Sequence, residues 1–511
     1  LKQKFLDLEQ QRVNQIFELE KLPIINATPE ELYRIAEINP KLFSTKYTRW
    51  GCVFKCVKCN GYRVNTGGIR SLLQISRIVN EQKYEHRKYC KHPKWEEKWS
   101  LHKAEIPHTF VEVTTDQTKE NAGYADITGA TIASGSFTAS RKYLFMYSTW
   151  ITTTNTARDG SVKALHGSTD FAESELEIEP MGDNRLKQLW FTVWTAISSE
   201  AIKLQHEDQT SGHFVKNDII TLTSIEISED LTEGSDWDFN HDSSSRSLDQ
   251  TFTADASLTI QTADHTAGDT YLVISYARFE NLDVTVQHES RLVRSGEASS
   301  TEPTWSEEGE EGAGGKMIQY HARTFDLGAS DNTFTVESRR DEATGSPTIE
   351  HSSVFALNLE KFKDSNEIYT DAGINLGTTD WADLVQTLSM TPSQTGDIFI
   401  LGYIIADLQG GSEDIQTRMQ VDNSDQPTGQ SAYPRHTRAI DGDDQMGQVH
   451  ITVENLDNTS HTVDLDGDTR TTTGSPHSQS RQLVMFSLEL ASAAAVRTLF
   501  QSTYPRAPGM I

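Results

Sequence analysis

The chain has 511 residues, 36% hydrophobic and 23% charged, with a formal net charge of −28. A single hydrophobic core stops growing at roughly 250–300 residues, so this length implies several domains. No run of about 18 apolar residues occurs, which excludes a transmembrane helix, and the acidic total excludes a surface that wraps nucleic acid throughout.

Residues 1–40 form a first segment, expected to be helical. Phe5, Leu8, Val13, Ile16 and Leu19 recur at helical spacing over 1–22, the pattern of an amphipathic helix. The same stretch is interrupted by Lys, Glu and Asp, so no secretory signal is expected in it. Thr28-Pro29-Glu30-Glu31 supplies an N-cap, a proline at the first helical position and a glutamate at the third, predicting a second helix over 29–38.

Residues 41–104 are basic, with 15 Lys+Arg against 4 Asp+Glu, whereas 105–511 holds 26 against 63. The −28 is therefore a +11 module joined to a −37 body and a −2 leader, an asymmetry that points to different partners for each part. All four cysteines fall within this module, at 52, 56, 59 and 90, too few for a disulfide scaffold. Cys56-Val57-Lys58-Cys59 precedes Asn60-Gly61, a turn dipeptide, and His86 and Cys90 lie four apart on a helix predicted over 69–89. Cys56, Cys59, His86 and Cys90 give C-x2-C-x26-H-x3-C, four N/S ligands for a tetrahedral structural Zn2+, with Cys52 as an alternative ligand and His92 and His102 as further candidates. Paired disulfides and a redox CxxC rank behind zinc, and haem attachment is excluded because Asn60 follows the second cysteine. A module this small would draw folding energy from the metal, and free thiolates imply assembly in a reducing cytoplasm. Arg49, Trp50, Lys55, Lys58, Arg63, Lys91, Lys94 and Trp95 mix cations with aromatics. Such a mixture suits docking on an acidic protein surface, ahead of single-stranded nucleic acid.

The acidic body repeats. Tyr143-Leu144-Phe145-Met146, Tyr271-Leu272-Val273-Ile274 and Phe399-Ile400-Leu401-Gly402 begin 128 residues apart. Trp190–Val193, Ile318–His321 and Val449–Val453 recur next, then Ala201–Leu204, Thr333–Val336 and Thr462–Leu465. Each unit closes on an aliphatic strand, at Ile219–Ile227, Val354–Leu359 and Leu483–Leu490. Period-two alternation predicts strands with one buried and one wet face, and Gly/Asp/Ser/Pro turns between them point to a sandwich or jelly roll. The fold class is thus mainly β: three tandem antiparallel jelly-roll or β-sandwich domains over 105–230, 231–362 and 363–492, preceded by a small α-rich zinc-binding module and followed by a tail, 493–511. Glu307–Gly315, rich in Glu and Gly, reads as a loop.

Asp464-Leu465-Asp466-Gly467-Asp468 has its glycine fourth and Ser475 at position twelve, so it fails the calcium-loop pattern, and Asp441–Asp444 is no better. Calcium is not expected. No H-x-x-x-H pair, nucleophile elbow or phosphate loop occurs, and no enzyme activity is expected.

The strand pattern over about 390 residues, from the Gly-Asp-Thr-Tyr-Leu-Val-Ile run at 268–274 to the closing aliphatic strands, resembles tailed-phage virion structural proteins. Those are head fibres, decorations or tail appendages with jelly rolls akin to the C1q and tumour-necrosis-factor domain. The resemblance implies exposed, often threefold assemblies without catalysis, here as a homotrimer or an internal pseudo-threefold cluster. The expected function is a virion protein on the outer particle surface, with residues 1–104 bound to a capsid or other virion protein and the β body facing solvent. An adhesin or carbohydrate-binding appendage for host-surface glycans is the alternative; exposed loop aromatics would favour it, but the best-placed ones, Trp237 and Trp381, are expected near the starts of strands. A zinc-finger nucleic-acid binder comes third.

Overall fold

The computed structural model describes residues 106–491 except 116, 121, 154–159, 172, 179–185, 198–199, 209–213, 281–285, 298–303, 309–315, 342–346, 372, 376–381, 408–414, 427–444 and 470–476. Upstream it describes the strands Arg49–Cys56, Tyr62–Asn65 and Trp95–His102. The chain divides into two compact units, one over Pro107–Leu488 and one that includes the N-terminal strands.

In the larger unit, eight main strands recur three times. The first set is His108–Val113, Ala125–Ile132, Lys142–Thr153, Gly160–His166, Leu176–Ile178, Leu186–Thr195, Ile202–Asp208 and Phe214–Glu226. The second is Trp237–Asp242, Thr253–Ile260, Thr270–Glu280, Gln287–Arg294, Thr304–Glu308, Lys316–Asp326, Asn332–Arg340 and Thr348–Asn358. The third is Ser365–Thr370, Ala382–Met390, Gly396–Asp407, Ile415–Val421, Ser424–Gln426, Gln445–Leu456, His461–Thr469 and His477–Ser487. In every set one sheet runs first–eighth–third–sixth and the other second–seventh–fourth–fifth. This antiparallel order of eight strands in two sheets is jelly-roll connectivity. A single pairing, Ser306 with Gln445, joins the second sheet of the second set to the first sheet of the third.

The recurrent aromatics occupy matching places. Tyr143, Tyr271 and Phe399 lie near the start of the third strand of each set, and all three are fully buried. The cores differ in filling. Phe145, Tyr147, Phe171 and Trp190 stack within the first sandwich. Aliphatic side chains dominate the third, including Ile398, Ile400, Met419, Val463 and Leu483.

The expected alternation holds for some strands and fails for others. In Asn332–Arg340, Asn332, Phe334, Val336 and Ser338 are buried and the residues between them are not. In Thr270–Glu280, by contrast, everything from Tyr271 to Phe279 is buried. The strand is covered twice, by its own core and by a neighbouring sandwich, so the reading of one wet face is corrected here. The same contacts explain the unbroken apolar runs used to find the repeat. Glu307 and Glu308 also depart from expectation, because they belong to the strand Thr304–Glu308 and not to a loop. The rest of that proposed loop lies outside the described residues.

In the N-terminal module the described part is β. Arg49–Cys56 is central, with Tyr62–Asn65 and Trp95–His102 antiparallel on either side. The alternation Trp50, Cys52, Phe54, Cys56 is the sequence signal for that strand. The predicted helices over 1–22, 29–38 and 69–89 lie outside the described residues.

Candidate functional site

The expected metal and docking residues of the basic module are placed only in part. Lys55 pairs with Tyr62 on one side and Glu96 on the other, so residues 56–61, which hold Cys56 and Cys59, connect two paired strands. Trp95 is the cross-strand partner of Cys56, Trp99 that of Cys52, and Phe54 that of Arg63. The backbones of Arg49, Trp50, Cys52, Lys55, Cys56, Arg63 and Trp95 therefore share one small sheet. Lys58, Cys59, His86, Cys90, Lys91 and Lys94 lie outside the described residues.

Within the larger unit, ring contacts and hydrogen bonds join the sandwiches. The three sixth strands, Leu186–Thr195, Lys316–Asp326 and Gln445–Leu456, touch one another in all three pairs. Phe191 meets Tyr276 edge to face at 5.2 Å between ring centroids, joining the first sandwich to the second. The Tyr403 hydroxyl of the third sandwich donates to the Tyr320 carbonyl at 2.7 Å, and the Tyr320 hydroxyl donates to the Gly447 carbonyl at 3.0 Å. Between the first and third, Trp150 faces His450, and His108 Nε2 lies 3.1 Å from Asp397 Oδ2. Buried polar groups with partners fix such contacts in one register, because leaving one unpaired costs about 1–3 kcal/mol. His321 sits at the second-to-third contact, with Nε2 2.9 Å from Ser290 Oγ. Complete burial lowers its pKa to about 3, so it is neutral.

A pocket of about 370 Å³ opens between the first and second sandwiches. Four carboxylates line it, those of Asp170, Glu173, Glu175 and Glu350, against two cations, Lys163 and Arg278. Lys163 Nζ pairs with Asp170 at 2.7 Å, Tyr124 donates to Glu175, and Arg278 Nε lies 3.2 Å from Glu350. Glu173 faces two histidines. Its Oε2 is in contact with His241 Nε2, and its Oε1 is 3.3 Å from His351 Nδ1. Glu173 is held in the left-handed region at φ 67°, a conformation that costs a non-glycine residue about 1–2 kcal/mol. Burial raises the Glu173 pKa, but the hydrogen bond from His241 and the charges of His241, His351 and Arg278 outweigh it and leave the carboxyl below its ordinary value. Burial also lowers His351; Glu173 opposes that and Arg278 adds to it, with a net downward shift.

Among the described residues two groups place three possible metal donors within 4.8 Å, Glu173/His241/His351 and Glu226/Glu229/Asp230. In the second, Glu226 Oε1 already accepts from Ser228 N, Ser228 Oγ and Glu229 N, so it caps its own turn. The Asp464–Asp468 motif lies inside the strand His461–Thr469, where Asp466 pairs with Arg418 at 2.8 Å and Asp464 accepts from Thr387 at 2.6 Å. Trp237 is 1% exposed and belongs to the core, while Trp381 lies outside the described residues. Sequence reading did not find Glu173, His241 or His351. They come from two repeat units and carry no local spacing; the nearest signal is the strand register, in which Ser353 is paired with His241 two positions from His351.

No family model and no curated protein matches the chain. Among solved structures, a chain in the atomic structure of Sulfolobus Turreted Icosahedral Virus is 10% identical, with 78% of this chain and 88% of that chain covered and a TM-score of 0.15. A chain in work on the triple jelly-roll fold and turret assembly of an archaeal virus gives 10% identity, 78% and 86% coverage and a TM-score of 0.15. The CBM22-1–CBM22-2 tandem domain of Paenibacillus barcinonensis Xyn10C gives 8%, 51% and 87%, and 0.16. Likenesses of this size carry no argument. Strand order by itself defines the class: a mainly antiparallel β protein of jelly-roll sandwiches.

Proposed function

We propose that the chain is a non-enzymatic structural virion protein, a capsid-associated fibre or decoration on the outer surface of a particle. The observation that carries this reading is the set of contacts among the three sandwiches. Whole strands such as Tyr271–Phe279 are buried on both faces, and the three sixth strands meet pairwise. These pairwise contacts within one chain support an internal pseudo-threefold cluster, the counterpart of a trimer of one-domain subunits. Such an arrangement suits a stiff, displayed body, since paired polar groups and ring contacts leave little freedom between its parts.

Residues 1–104 are the attachment segment in this reading, held to an acidic site on a capsid protein through Arg49, Trp50, Lys55, Lys58, Arg63, Lys91, Lys94 and Trp95. A structural Zn2+ bound by Cys56, Cys59, His86 and Cys90, with Cys52 as the alternative ligand, would tie this segment together. The register supports it: the C-x2-C segment lies in sequence between paired strands, and Trp95, opposite Cys56, follows Cys90 by five residues.

The test is incorporation. Particles assembled with the full chain are expected to carry it on the outside, accessible to antibody labelling. A chain lacking residues 1–104 is expected to be absent from purified particles while its β body still gives a cooperative unfolding transition. Normal incorporation of the shortened chain would remove the attachment role.

A further inference from the structure

The Glu173, His241 and His351 cluster has the organisation of a ligand set rather than of a simple ion pair. His241 is hydrogen-bonded, and His351 is approached by a carboxylate, on the ring nitrogen turned away from Glu173. His241 Nδ1 lies 2.8 Å from Ser353 Oγ, and His351 Nε2 lies 3.3 Å from Glu350 Oε2. With the ring proton on Nδ1 and donated to Ser353, the His241 Nε2 that now bonds Glu173 would present its lone pair to a cation. His351 Nδ1 is buried, makes no hydrogen bond and points to the other Glu173 oxygen. Metal-bound histidines are oriented in this manner, by a carboxylate or hydroxyl behind each ring.

We propose that Glu173, His241 and His351 bind a divalent transition-metal ion of the zinc class, which bridges the first and second sandwiches. Two imidazole nitrogens and one carboxylate suit zinc and its first-row neighbours; magnesium and calcium prefer oxygen alone. The donors lie within 4.8 Å of one another, and small side-chain rotations bring them to the metal–ligand distances of about 2.0–2.2 Å that zinc requires. The fourth position faces the pocket, whose four carboxylates and two cations favour a bound cation. A water fills it. Glu173 comes from the first sandwich and both histidines from the second, so the ion would lock the two together by a route separate from the ring and hydrogen-bond contacts. The assignment goes beyond the virion role and does not depend on it.

Full-length protein stripped with chelator and titrated with Co2+ tests the site and separates it from the cysteines. A thiolate-bound Co2+ shows sulfur-to-metal charge-transfer absorption, and an N/O-bound one does not. The wild type is expected to bind one Co2+ in the class lacking thiolate absorption, and added Zn2+ is expected to displace it. Glu173→Gln and His351→Gln should lose that class and leave any thiolate band unchanged. Ser353→Ala touches no ligand atom and should weaken the same class by roughly 10–100-fold. It keeps the test decisive if a ligand variant fails to fold. A wild type without the non-thiolate class, or a Ser353→Ala protein of unchanged affinity, overturns the site.

Discussion

His321 makes the contact between the second and third sandwiches sensitive to acid. It is 4% exposed, and burial lowers its pKa from 6.5 to about 3. The unfolded chain takes up a proton there as pH falls through about 6.5, whereas the folded chain refuses it until about pH 3. The unfolded state thus binds more protons over that window, and stability falls as pH falls. Linkage between pH 7 and pH 5 gives a loss of about 2 kcal/mol from this side chain alone, or roughly 30-fold in the folding equilibrium. Denaturant titrations of the full chain at half-unit pH steps measure it, with His321→Gln as the comparison. Glutamine keeps a group able to bond Ser290 and cannot titrate. The wild type should lose about 2 kcal/mol more than His321→Gln between pH 7 and pH 5. Every other titrating group contributes to both proteins and cancels in the difference. Parallel pH profiles would refute the argument, showing that His321 takes up its proton in the folded protein without cost.

Further substitutions probe packing and charge. Arg246→Ala removes the partner 2.7 Å from Asp255, whose side chain is 3% exposed and whose pKa burial already pushes up to about 6 against the pull of Ser338 and Arg246. The expected loss is about 3 kcal/mol in denaturant titration, largely recovered when Asp255→Asn is added. Gly402→Val overfills the third core, because even a Cβ would sit 3.2 Å from Met419 Sδ and 3.3 Å from Leu465 Cδ1. A cost of about 1–3 kcal/mol and a lower melting temperature are expected, with a smaller loss for Gly402→Ala. Tyr403→Phe and Tyr320→Phe each leave a buried carbonyl without its hydroxyl donor, costing about 1–2 kcal/mol apiece. The two losses should not add in the double variant, since the groups are in contact.

The three β units were legible because their signals are local. Short apolar runs, turn residues and a fixed repeat place the third, sixth, seventh and eighth strands of every set, and all of them appear in the structure. Alternation read correctly in Asn332–Arg340. It misled for Thr270–Glu280, where a second sandwich covers the face expected to meet water. Trp237 was expected near a strand start, and the packing adds that it is stacked against Phe355 in the core. In the basic module the cysteine spacing was legible and the strands around it were not, because short strands with Lys and Arg among Trp and Cys look like a finger before their pairing is known.

Sequence alone determined where the third, sixth, seventh and eighth strands of each set lie, how many times the unit recurs and how charge is divided between a basic segment and an acidic body. Those are properties of neighbouring residues and of counts. Tertiary structure decided which sheets face one another, that His321 is too deeply covered to hold a proton, and that Glu173 of one sandwich meets His241 and His351 of another. Such meetings depend on the docking of separately folded surfaces. No periodicity within a strand encodes which other strand will cover it.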